Sequence, residues 1–195
     1  YGRRQRQMCI RDRFFIILST NLYASNIKKV YFAGGCFWCM EESFDKVEGV
    51  IETISGYSGG HVKNPKYKDV VKNTTGHYET LEITYDPSIT NFEKLLEIFW
   101  VNIDPFDADG QFCDKGESYK SVVFYENSDQ KKIIETSIKN IENKFNKKVV
   151  TYVKNFKEFY MAETYHQDYY EKNFIRYLMY KKGCQREEVL NKIWG

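Results

Sequence analysis

Between Tyr78 and Trp100 the hydrophobic period changes from two to 3.6 residues, and that switch limits the folds open to the chain. Residues Tyr78–Tyr85 (YETLEITY) alternate apolar and polar side chains, the pattern of a strand. From Phe92 the apolar side chains fall at Phe92, Leu95, Leu96, Phe99 and Trp100, the i, i+3, i+4, i+7, i+8 spacing of a helix with one buried face. Asp104-Pro105 stops that helix. A strand that hands over to an amphipathic helix in so few residues calls for a sheet with helices packed on it.

The same alternation of elements extends along the chain. Lys28–Ala33 reads as a strand running into Gly34-Gly35, and CFWCMEESFDKV then starts a helix that Gly49 closes. Val50–Tyr57 is the next strand, and Gly56–Gly76 is a loop rich in Gly and Asn. After Trp100 a loop through Gly110 and Gly116 leads into a strand over Tyr119–Tyr125. Ser128 caps a long helix with Ile134, Ile138, Ile141 and Phe145 on one side. Val149–Val153 is a further strand, and the aromatic-rich remainder is helical. The order β-α-β-β-α-β, then α-β, predicts an α+β fold with a ferredoxin-like split βαβ core and added helices and loops. Helices would cover one side of a mixed sheet.

A chain of 195 residues with 42% hydrophobic and 17% aromatic side chains can bury a core, which excludes wholesale disorder. The mean hydropathy of −0.60 and the lack of any apolar run near ~20 residues exclude a membrane-spanning helix. A formal charge of +2 points weakly to an acidic partner, but residues 1–13 account for it. This stretch (YGRRQRQMCIRDR) holds five Arg and one Asp, so without it the net charge turns to −2. Arg3 to Asp12 resembles a translated sequencing adapter and is set aside from fold reasoning. No basic stripe elsewhere continues a nucleic-acid contact, so nucleic acid is not an expected partner. Residues 14–26, which begin FFIIL and pass into small residues, read as the back half of a signal peptide, which favours export, or as a plain N-terminal extension of a cytoplasmic protein. A catalytic domain is expected over residues 27–183, with a C-terminal tail over 184–195.

The chemistry concentrates at Gly35-Cys36-Phe37-Trp38-Cys39. Cys36 falls where a strand passes into a helix, so free N–H groups and the helix dipole should favour its thiolate and lower its pKa. The Gly pair permits a tight turn and close approach of a substrate backbone. Phe37 and Trp38 offer an apolar wall, so the reacting group should be small and apolar. An inert buried Cys fits poorly beside a Gly pair and a helix start. A zinc site lacks a second CxxC, and His61 and His77 have no ligand-like spacing. A thioredoxin-type dithiol of Cys36 and Cys39 is the serious alternative.

Glu79 shares the parity of Leu81, Ile83 and Tyr85 in its strand and so points to the face they bury. A carboxyl on an apolar face is expected to have a raised pKa and to serve as a general acid. The competing reading is a strand-end Glu that reaches solvent, with His77 packing or capping the loop.

Seven motifs stand in register from about Val30 to Tyr177. They are Gly35-Cys36-Phe37-Trp38, Gly56-Tyr57-x-Gly59-Gly60, Asn64-Pro65-x-Tyr67, Gly76-His77-x-Glu79, Tyr85-Asp86-Pro87, Asp114-x-Gly116-x-x-Tyr119 and Tyr165-His166-Gln167. Together they closely resemble the peptide methionine sulfoxide reductase A family. The resemblance implies that Cys36 attacks the sulfoxide sulfur of methionine S-sulfoxide, free or in proteins. Glu79 would protonate the sulfoxide oxygen, with Tyr67 and Tyr119 hydrogen-bonded to it. Phe37 and Trp38 would hold the S-methyl group and Asp114 would help hold the substrate. It also implies a Cys36 sulfenic acid intermediate, a thioredoxin-like protein as reductant, and no metal or organic cofactor.

The chain departs from its relatives at Cys113 and in a tail that carries Cys184 alone. The resolving thiol is expected to be Cys184, from a Lys-Lys-Gly-Cys segment read as mobile, ahead of Cys39; Cys113, next to Asp114, is a third candidate for which packing is at least as good a reading. Against the reductase reading stand a general CxxC thiol–disulfide oxidoreductase, which has no need of Glu79, and a peptide-binding module, which has no need of a nucleophile.

Overall fold

The computed structural model describes residues 26–195. The adapter-like stretch and the export signal lie outside the described residues, Asn26 excepted. In chain order the elements begin with β1 (Lys28–Ala33), α1 (Phe37–Phe44), β2 (Val50–Ser58), α2 (Tyr67–Val70), β3 (Tyr78–Tyr85) and α3 (Phe92–Val101). They continue with β4 (Gly110–Gln111), β5 (Asp114–Lys115), β6 (Val122–Tyr125), α4 (Ser128–Phe145), β7 (Tyr152–Asn155) and β8 (Phe159–Met161). Three helices close the chain: α5 (Tyr169–Lys172), α6 (Phe174–Gly183) and α7 (Arg186–Trp194). Short 3-10 turns cover Glu117–Tyr119 and Thr164–His166.

One mixed sheet of six strands runs β7-β6-β1-β3-β2-β8, with β6 and β7 parallel and every other pair antiparallel. The α+β reading holds at that level. Strand β3 lies between β1 and β2, so its polar residues are covered as well as its apolar ones, and all eight are buried. One sheet face carries Val30, Phe32, Leu81, Ile83 and Tyr85 against α1, α3 and α4. Phe32, Leu81, Ile83, Leu95 and Phe99 are fully enclosed there, each contributing about 1.5–3 kcal/mol by its burial. The opposite face carries Tyr31, Ala33, Tyr78, Val122 and Phe124, packed by Phe156 and Phe159.

Several boundaries differ from the sequence reading. Asn127, not Ser128, caps α4: its Oδ1 accepts from the N–H groups of Asp129 and Gln130. Tyr119 belongs to the 3-10 turn before β6 rather than to the strand, and the expected strand at 149–153 is displaced to Tyr152–Asn155. Inside the expected loop from Gly56 to Gly76, residues 67–70 form one helical turn. The edge strand β8 has no periodic signal; it forms because Phe159–Met161 finds the free edge of β2. The segment after Cys184 is not loose either. Trp194 of α7 packs edge-on against Phe145 and donates to the Ile103 carbonyl at 3.1 Å. Among the described residues no helix is long and apolar enough to cross a membrane.

Candidate active site

The turn between β1 and α1 is built around Gly35, which adopts a φ of +80°. A Cβ there would also lie 2.5 Å from Gln111 Cβ, so a side chain is excluded twice over. Gln111 is fully buried, and its amide bonds both the N–H and the carbonyl of Asp104, each at 2.8 Å. That fixture holds the β4–β5 hairpin under the turn. Cys36 follows as the residue that caps α1, with its carbonyl accepting from the N–H of Cys39 at 3.2 Å.

Glu79, from β3, reaches the same point. Its Oε2 accepts from the Phe37 N–H at 3.1 Å, and the carboxyl is 2% exposed. Burial pushes Glu79 up to about 8, helped by the Asp114 charge and opposed by the Phe37 and Tyr119 hydrogen bonds. The carboxyl is therefore mostly neutral at pH 7, as its strand parity predicts. Tyr67 and Tyr119 line the same cavity as Glu79, which sets two phenols beside the acid.

The expected lowering of Cys36 does not occur. Burial raises its thiol, and the hydrogen bond to Cys39 with the nearby charges of Cys39, Glu79 and Asp114 raises it further. The helix start does not offset this burial, since its first N–H, at Phe37, is given to Glu79. That N–H anchors the acid instead of stabilising a thiolate.

A cavity of about 70 Å³ is lined by Cys36, Phe37, Trp38, Tyr67, Glu79, Asp114, Tyr119 and Tyr180. It admits the tip of a side chain and little more. A larger hollow of about 540 Å³, beside Asp45 and Asp168, has no thiol in its lining, and its one phenol, Tyr170, donates to Asp45 at 2.8 Å. Trp38 is held on several sides. Its ring stacks on Tyr169 at 3.8 Å, meets Tyr180 edge-on at 5.9 Å, and its Nε1 donates to His166 Nδ1 at 3.2 Å. Burial lowers His166 to about 4, so the ring stays neutral and able to accept. Glu163 anchors the opposite wall by accepting from the Tyr57 hydroxyl at 3.0 Å and the Tyr67 N–H at 3.1 Å.

All the expected site residues except the resolving thiol converge on this cavity. Asp114 lines it, with one carboxylate oxygen accepting from Tyr180. Cys184 does not reach Cys36: it is bridged to Cys113, with Cα atoms 4.9 Å apart across 71 residues. The expectation of a mobile Cys184 and of a packing role for Cys113 is corrected by that bridge. His77 caps the glycine loop in line with the sequence reading, accepting from the Gly60 N–H at 3.2 Å and bonding the Val62 carbonyl at 2.7 Å.

Tyr169, Tyr177, Tyr180 and Arg186 are the site residues that sequence reasoning missed. Tyr177 and Tyr180 stand three apart in a helical, aromatic-rich stretch, which was a usable signal. Arg186 had none, being one of many cations.

A buried thiol, a neutral carboxylic acid, two phenols and an aromatic wall around a small cavity define a cysteine-based redox enzyme. Comparison with known proteins narrows the class. Residues 28–195 match the family model described as peptide methionine sulfoxide reductase. The chain is 47% identical over 165 residues to peptide methionine sulfoxide reductase MsrA 2 of Staphylococcus aureus strain MW2, covering 84% of this chain and 93% of that protein. The crystal structure of reduced Mxr1 from Saccharomyces cerevisiae is similar at a TM-score of 0.70 and 29% identity, over 75% of this chain and 86% of that one. Methionine sulfoxide reductase A of Corynebacterium diphtheriae gives a TM-score of 0.69 at 28% identity, over 75% of each chain. The chain belongs to the peptide methionine sulfoxide reductase family.

Proposed function

We propose that this protein reduces the S-epimer of methionine sulfoxide, free or in proteins, to methionine and so repairs oxidised proteins. The observation that carries the reading is the pairing of Cys36 with a neutral Glu79 in a cavity sized for a side-chain tip. The methyl group lies against Phe37 and Trp38, and Asp114 helps to hold the substrate. The sulfoxide oxygen points to Glu79, Tyr67 and Tyr119. Cys36 sulfur attacks the sulfoxide sulfur while Glu79 protonates the oxygen, where negative charge would otherwise build up. The thiol proton of Cys36 returns to Glu79, methionine leaves, and Cys36 keeps the oxygen as a sulfenic acid. Atoms balance: one thiol and one sulfoxide give one sulfenic acid and one thioether.

A second thiol condenses with the sulfenic acid to a disulfide, releasing the oxygen as water, and a thioredoxin-like dithiol protein then restores the Cys36 thiol by thiol–disulfide exchange. We also read the core strands as a ferredoxin-like split βαβ unit, supported by the order β6-β1-β3-β2 with α1 and α3 in its two crossovers. Steady-state turnover with a chemical dithiol tests the function. The S-epimer should yield methionine and the R-epimer should not. Turnover of neither epimer, with reduction of protein disulfides instead, would favour a general oxidoreductase.

A further inference from the structure

The β4–β5 hairpin carries Asp114 to the cavity, and the C-terminal helices hold its tip from one side. Phe112 turns the hairpin at a φ of +53°, a left-handed conformation that a bulky side chain keeps only when its surroundings fix it. Three consecutive residues supply that fixing. The Arg186 guanidinium from α7 lies over the Phe112 ring at 4.4 Å, Cys113 is bridged to Cys184 at the end of α6, and Asp114 accepts from the Tyr180 hydroxyl. The Cys184 N–H closes a helical turn on the Tyr180 carbonyl at 2.9 Å, so Tyr180 and Cys184 share one face of α6 and meet the hairpin as two parallel rungs. Tyr180 also meets Trp38 edge-on at 5.9 Å, which ties the same rungs to a second wall of the cavity. The reaction as derived uses neither the bridge nor Tyr180.

We propose that Tyr180 and the Cys113–Cys184 bridge are positioning groups for Asp114, and that making or breaking the bridge sets how tightly the enzyme holds methionine sulfoxide. The proposal rests on the reductase reading above, in which Asp114 helps to hold the substrate. Both bridge sulfurs and an Asp114 carboxylate oxygen lie within 4.8 Å of one another, with Cys113 Sγ 3.9 Å from Asp114 Oδ1. In the bridge neither sulfur carries a proton, so the carboxylate is left to Tyr180 and to the substrate. Reduction places two S–H groups at the same spot, and these weak donors compete for the carboxylate. It also removes the covalent tie between the hairpin tip and α6, leaving the turn at Phe112 with one anchor fewer.

Access separates this pair from the catalytic thiol. Cys113 is exposed and Cys184 half-buried, whereas Cys36 and Cys39 are both buried. A small disulfide such as oxidised glutathione makes the bridge by exchange. One thiolate of the pair attacks it and expels a thiol, and the other then displaces the second thiol as the Cys113–Cys184 bond forms. Two electrons pass from the cysteine pair to the small disulfide, and a dithiol reverses the exchange. The substrate is therefore held most tightly in oxidising surroundings, where methionine sulfoxide accumulates.

The test follows the first methionine formed, against the concentration of methionine S-sulfoxide and without reductant, so that regeneration does not enter. Wild-type protein is compared with its bridge intact and after reduction and removal of the reductant. Alkylation and peptide mass mapping verify the bridge, with Cys36 free in both states. Reduction should raise the half-saturating concentration by roughly fivefold or more and leave the maximal rate within about threefold. Cys113→Ser should match the reduced protein, and Tyr180→Phe should weaken half-saturation in the bridged one. Asp114→Asn separates positioning from general stiffening: in that variant, reduction should move half-saturation by less than about twofold, because the group acted upon is gone. The wild-type comparison needs no substitution, so a misfolded variant leaves the proposal open to refutation. Equal half-saturation in the two wild-type states, or an effect of reduction as large in Asp114→Asn, would overturn the proposal alone. Methionine from neither state would refute the reductase reading and the proposal with it.

Discussion

Replacing Glu79 by Gln isolates the acid from everything else the residue does. The amide keeps the size of the carboxyl and an oxygen that can still accept the Phe37 N–H bond now made at 3.1 Å. It has no acidic proton to give. At pH 7 a group shifted to about 8 is ~90% protonated, so wild type begins with its acid loaded. Losing general acid catalysis costs on the order of 10²–10⁴ in rate, or about 3–5 kcal/mol of barrier. The assay is methionine formation from S-sulfoxide under single-turnover conditions between pH 5 and 10. Wild type should lose rate as pH rises through about 8, where Glu79 ionises. The Gln variant should be slow throughout and lack that limb, with little change in KM. The same substitution has a stability signature. A carboxyl whose folded pKa is raised from 4.5 to about 8 favours the fold below pH 4.5 and loses that advantage as pH climbs to 8, by up to ~5 kcal/mol. Glu79→Gln should therefore gain stability over wild type at pH 9 and not at pH 4. A variant within threefold of wild type, or one that keeps the alkaline limb, would refute the role of Glu79 as acid.

The other expectations are more local. Tyr67→Phe and Tyr119→Phe should each slow the reaction less than Glu79→Gln, because the other phenol still lines the cavity; silence of the double variant would mean the oxygen site is misplaced. Gly35→Ala should unfold the site, since it meets both a φ of +80° and Gln111 Cβ at 2.5 Å; near-normal activity and melting temperature would contradict that geometry. Cys184→Ser opens a loop closed across 71 residues and should lower stability by about 2–4 kcal/mol in oxidising buffer but not with dithiothreitol, as read by denaturant titration. Glu41→Gln should stabilise the protein above pH 7, because burial pushes Glu41 up to about 7. A melting temperature unchanged at pH 8 would count against it.

What was legible in the sequence was whatever a short-range pattern records. Alternation at Tyr78–Tyr85 and the helical stripe from Phe92 to Trp100 located β3 and α3, and parity alone turned Glu79 inward. The Gly-Cys junction placed Cys36 at a helix start. Features set by partners distant in the chain were not legible. The Phe37 N–H is taken by a carboxyl 42 residues away, which reverses the simple expectation that a helix N-terminus lowers a thiol. Arg186 sits 84 residues from the carbonyl it binds, and nothing local marks it as buried. Cys113 and Cys184 looked like a packing residue and a loose tail because pairing depends on how the hairpin and α6 meet. Edge strand β8 exists only because β2 offers it an edge.

The central claim is that Cys36 sulfur itself reduces the sulfoxide, one molecule per chain, before any reductant is needed. Rapid mixing with excess methionine S-sulfoxide in the absence of reductant measures this directly. Wild-type protein should release a burst of one methionine per chain and lose the Cys36 thiol in step with it, while Cys36→Ser releases none. A Cys36→Ser protein that still gives a burst of one methionine per chain would contradict the account.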